Sequence, residues 1–145
     1  MVLTDENIKY IQSLPKKREQ IYKEAQPKWD SGVNSEMLIG NWLVIEALKD
    51  ILIKLAQYYP LNHFNKYPPE EYFSTKISSI AEWHRSSSEP NGHGTGGTIV
   101  EVVAGGMVIA DLERMVSEMI LSLTSSIDDF NYNDWQKEWI ESYNA

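Results

Sequence analysis

Between Thr98 and Ile127 apolar residues return at intervals of three and four: Val102, Gly105, Ile109, Leu112, Val116, Met119 and Leu123. That spacing predicts a single seam down one α-helix. Asp111, Glu113, Arg114 and Glu118 fall off the seam, and from Ile99 to Ala110 the only charge is Glu101. The first half of the run is therefore expected to be covered on nearly all sides, and the second to keep a wet face. A helix over the whole run would reach about 45 Å at ~1.5 Å per residue, enough to cross a domain. The competing reading makes Ile99, Val100, Val102 and Val103 a β-branched strand that turns at Gly105-Gly106. In a helix the two glycines would instead be a close-packing notch, at a cost of about 1 kcal/mol each in propensity.

The remaining segments have helical spacing too. Thr4 reads as a cap ahead of Ile8, Ile11 and Leu14, and Pro15 is expected to end that segment and open another to about Gln26, with Ile21, Tyr22 and Ala25 inward. Lys16-Lys17-Arg18, the one basic cluster, reads as solvated surface. Pro27 and Asp30-Ser31-Gly32 should close this segment, with Trp29 folded back as a plug. A long helix from Ser35 carries Leu38, Trp42, Ile45, Leu48, Leu52, Leu55 and Tyr59 on one seam, and Pro60 stops it. Pro69-Glu70-Glu71 begins the next, which places Phe73, Ile77, Ile80 and His84 on one face to about Arg85. Residues 86–98, rich in serine and glycine, are expected to form a flexible loop. Asn133 reads as the cap of a short last helix in which Trp135, Trp139 and Tyr143 recur every fourth residue. With no repeat and no linker, residues 1–145 are expected to form one all-α domain: a helical bundle of four main helices plus a short C-terminal helix.

A chain of 145 residues buries enough surface to fold unaided, and the absence of cysteine removes disulfides, thiolate metal sites and cysteine nucleophiles. Met1 to Asn7 has no secretory pattern, and the longest uncharged apolar run, Val102 to Ala110, falls far short of the ~20 residues of a membrane span. The expected setting is cytoplasmic, with no membrane contact. Net charge is −8, and all of it arises late: 11 acids and 11 bases cancel through Arg85, whereas Ser86 onward has 10 acids against Arg114 and Lys137. Nucleic acid is thereby excluded as an expected partner, because phosphate binding needs a cationic surface. The acidic last third favours a basic protein or simple solvation.

The glycine-rich loop is the first candidate site. Gly92, His93, Gly94, Thr95, Gly96, Gly97 and Thr98 would expose backbone N–H groups to an anion at the start of a helix. Gly92, Gly94 and Gly97 satisfy G-x-G-x-x-G, but no strand precedes them, and the lysine of a Walker loop is missing. Gly94-Thr95-Gly96-Gly97 also resembles a substrate-covering loop of haem-dependent tryptophan dioxygenases; no other stretch of this chain extends that resemblance. His63, His84 and His93 occupy three segments without metal-ligand spacing, so no metal and no cofactor is expected. Glu101 is a carboxylate among branched apolar residues, for which the simplest solution is solvent at the first helical turn. A general acid or base role for Glu101 would need His84 or His93 beside it. Asp129 to Asn133 resembles the first half of a calcium loop, but Asp134 and Ile140 stand where the glycine and the bidentate glutamate belong.

The sequence thus favours a small acidic helical interaction module that binds itself, most simply as a homodimer, or a basic protein partner. Small bacterial immunity or adaptor proteins fit that physical description. Trp135, Trp139 and Tyr143 are its candidate interface. The alternative is a small-molecule or anion-binding protein, with an enzyme included, whose site lies under residues 92–98.

Overall fold

The computed structural model describes residues 3–60, 68–88 and 98–143. Within them the chain forms five helices and no strand: α1 (Asp5–Asp30), α2 (Asn34–Ala56), α3 (Pro69–Ser88), α4 (Thr98–Thr124) and the short α5 (Tyr132–Glu141). The expected bundle of four main helices and a C-terminal one is the observed fold. Thr98 to Ala104 is helical, so the strand reading of Ile99 to Val103 does not hold. Of the loop expected over 86–98, Ser86 to Ser88 instead continue α3 and Thr98 belongs to α4, while residues 89–97 lie outside the described residues.

Side-chain contacts fix the helix directions. Tyr10 meets Tyr58 and Trp29 meets Asn41, so α1 and α2 are antiparallel. Asn41 reaches the Val102 carbonyl and Tyr59 the Met119 carbonyl, so α2 and α4 run the same way. Their contact is the most extensive in the molecule. His84 meets Asp111, which sets α3 against α4. The core lies between these helices: Leu48, Leu52 and Leu55 of α2, Val108, Leu112, Val116 and Ile120 of α4, Ile11 and Leu14 of α1, and Phe73 and Ile77 of α3 are buried. Each such side chain contributes roughly 1.5–3 kcal/mol by leaving water.

Contrary to the sequence expectation, Pro15 does not break α1, which continues for 26 residues through Pro15 and Pro27. A proline has no N–H for the carbonyl four residues earlier, which here is that of Ile11. The Trp135 indole N–H fills that vacancy at 2.8 Å. The expense of the proline is thus converted into the anchor of α5. Gly32, with φ +70°, provides the left-handed turn that ends the α1 region. Asn131, not Asn133, caps α5, accepting from the Asp134 N–H at 3.1 Å.

Of the two glycines in α4, only Gly105 is a notch. A Cβ there would lie 2.7 Å from Asn41 Nδ2, whereas one on Gly106 would meet nothing within 4 Å. Gly40 makes the matching notch in α2, where a Cβ would lie 2.9 Å from the Trp29 ring. Trp29 is still part of α1, instead of folding back beyond its end, and packs its ring against α2 from there.

Candidate functional site

Asn41 determines which side of α2 faces outward. It is buried, accepts from Trp29 Nε1 at 3.0 Å, and donates to the Val102 carbonyl at 2.9 Å. Both of its polar ends are satisfied, so it can stay in the core without the penalty of an unmade bond. One residue further along a helix is about 100° around the axis. Trp42 is therefore carried out of the seam assigned to it and is 48% exposed. Ile39 and Leu43 share this outer side with Trp42 and are 47% and 38% exposed, while Val44, Ile45 and Leu48 turn inward. The sequence signal for this rotation was present in Gly40-Asn41: a small residue and an amide inside an apolar run mark a close, hydrogen-bonded approach.

Arg18 departs furthest from expectation. It is only 8% exposed and not part of a solvated cluster. Its Nε donates to Glu113 Oε2 of α4, while Nη1 donates to the Trp139 carbonyl at 2.8 Å and to Ser142 Oγ at 3.1 Å. The guanidinium lies over the rings of Tyr22, Trp139 and Tyr143. A planar five-donor cation suits this mixture of carboxylate, carbonyl and aromatic faces. Burial pushes the Tyr22 hydroxyl well above its usual pKa, and neighbouring Glu113 adds to the shift. The cluster joins α1, α4 and α5, and its geometry is that of a structural clasp.

The aromatic stripe of α5 is used in the same place. Trp135 and Trp139 are buried within the chain, stacked with ring centres 5.4 Å apart. Within the chain their surface is occupied by α1. Tyr143 sits 4.5 Å from the Tyr22 ring and keeps partial exposure.

The rival site is only partly represented. Gly92, His93, Gly94, Thr95, Gly96 and Gly97, together with His63, lie outside the described residues, as does the side chain of Thr98. Glu101 is exposed in the first turn of α4. His84 is nearly buried and lies 2.7 Å from Asp111 Oδ2, whose other oxygen accepts from Arg114 at 3.1 Å. His84 thus pairs with Asp111, a partner that the sequence reading had not nominated. Among the described residues no group of histidine and carboxylate side chains is arranged to hold a metal. Among the described residues, open clefts lie elsewhere, between α3 and α4 at Phe73 and Met115 and around Phe130 and Asn131.

No family model, curated protein or solved structure matches this chain. Among the described residues no helix is long and apolar enough to cross a membrane.

Proposed function

We propose that the protein is a helical interaction module whose binding surface is the outer side of α2. One observation carries this reading: Ile39, Trp42 and Leu43 stand together on one side of a helix, each more than one-third exposed, whereas Val44, Ile45 and Leu48 of the same helix are buried. Exposed apolar side chains scattered singly need no explanation, but a tryptophan flanked at i−3 and i+1 by two aliphatics supplies the anchor that protein interfaces use. The polar clasp around Arg18 is internally satisfied and offers nothing to a substrate. Affinity capture from the source cells provides the test. The wild-type chain should retain a protein that Trp42→Glu loses while its helical circular dichroism is unchanged; equal retention by both would overturn the reading.

The second reading is an anion or small-molecule site beside His84, which Asp111 orients at the middle of α4 rather than at its start. It predicts that inorganic phosphate raises the Tm of the wild type but not of His84→Gln. An equal response of the two proteins would remove His84 from any such site.

A further inference from the structure

We infer that the second half of α3 is a strap that lifts away from α4 as a unit, hinged just after Ile77 and latched by the pairing of His84 with Asp111. Burial divides the helix. Phe73 and Ile77 are 1% and 4% exposed, and both lie in its first half. From Ser78 to Ser86 no side chain is buried: Ile80 and Ala81 rest on the core only partly covered, and Trp83 is 65% exposed. Among the described residues no other helix runs as far without a buried side chain. A segment with so few buried apolar contacts opens locally at a lower free energy than the whole fold.

What holds the strap down is polar, and it comes from one residue. His84 Nε2 lies 2.7 Å from Asp111 Oδ2, with side chains 13% and 22% exposed. Among the described residues no other side chain from Ser78 to Ser86 makes a hydrogen bond or an ion pair. The Trp83 ring stands edge-on to the imidazole, 4.9 Å between centres, and braces the latch from its own helix. Asp111 does not depend on His84 alone, because its other oxygen accepts from Arg114 of the same helix at 3.1 Å. Release therefore strands no buried charge: the carboxylate keeps a cation and gains water, and the imidazole leaves with the strap. Access to both groups is thus set by the latch.

Amide exchange of the full chain, followed residue by residue by NMR, tests this. In the wild type the amides of Ile80 to Arg85 should share one protection factor and exchange about 10-fold faster, or more, than those of Thr75 to Ile77. His84→Ala on the strap and Asp111→Ala on α4 should each speed Ile80 to Arg85 by a further factor of about 10, the worth of a hydrogen bond to a charged group. Helical circular dichroism and the protection of α1 and α2 should not change. Arg85→Ala, beside the latch but outside it, should exchange like the wild type. Equal protection of Ile80 to Arg85 and Thr75 to Ile77 overturns the strap. So does a smooth loss of protection toward Ser86 that Asp111→Ala leaves unmoved, since that is ordinary fraying of a helix end. A rise in exchange that spreads equally through α1 and α2 in both variants would mean that the pair holds the whole fold, and refutes the latch.

Discussion

At the scale of the residue, Arg18 is balanced by contacts from two other helices: a carboxylate from α4, and a carbonyl and hydroxyl at the end of α5. Removing one member of such a set leaves the other buried and unpaired, which typically costs about 3–5 kcal/mol. Arg18→Ala should accordingly lower unfolding stability by about that amount in urea, and Arg18→Met combined with Glu113→Leu should recover most of the loss. A double variant as unstable as the single one would mean that the ring contacts, not the ion pair, carry the cost. None of this could be read from Lys16-Lys17-Arg18, because three adjacent cations point in three directions around a helix. Continuity of α1 through Pro15 puts Arg18 on the inner seam, four residues after Leu14 and four before Tyr22, and Glu113, 95 residues away, supplies its carboxylate. Trp42 was misplaced for a related reason. Hydrophobicity assigns a tryptophan to the core, but the hydrogen bond Asn41 accepts from Trp29 and the one it donates to Val102 settle the rotation of α2.

Among the elements, α4 was the most legible, since its three–four spacing extends over the whole helix and its Gly105 notch was foreseeable as one of two options. Which glycine forms the notch depends on the neighbouring helix. Gly105→Ala should destabilise by about 1–3 kcal/mol through collision with Asn41. Gly106→Ala, with open space for its methyl group, should stabilise by up to about 1 kcal/mol through helix propensity. Paired thermal melts would check this, and a matching sign for the two would refute the asymmetry. The continuity of α1 was illegible, because Pro15 normally ends a helix and its compensating donor is in α5. Trp135→Phe keeps most of the apolar bulk but removes that donor. It should cost about 1–3 kcal/mol, the penalty of an unsatisfied buried acceptor, and should increase amide exchange around Pro15.

For the whole molecule, the packing of tyrosines among helices makes stability fail on the alkaline side. Burial, with Tyr58 and Asp50 nearby, pushes Tyr10 from 10.0 to about 12, and burial raises Tyr22, Tyr58, Tyr59 and Tyr132 as well. In the unfolded chain these phenols ionise near pH 10, while in the native chain they hold their protons longer. Stability is therefore full below pH 10 and is lost as pH climbs through 12. Absorbance at the phenolate band should lag behind that of free tyrosine and then rise cooperatively with loss of helix; simple titration near pH 10 with the helices intact would contradict the burial. The bundle class was legible because helix periodicity recurs in every segment. Apart from the Gly40-Asn41 signal in α2, the relative rotation of the helices was not, since it is set by a few polar contacts between distant residues.

The indole that completes α1 is supplied 124 positions later in the chain. On the ribosome, α1 must therefore wait for α5. Until Trp135 leaves the exit tunnel, the Ile11 carbonyl has only water to satisfy it, and α1 is held by weaker constraints than in the finished protein. A nascent chain arrested before α5 should show fast exchange along α1 while α2 and α4 are already protected. The clasp between α1 and α5 thus couples synthesis of α5 to closure of the fold around α1.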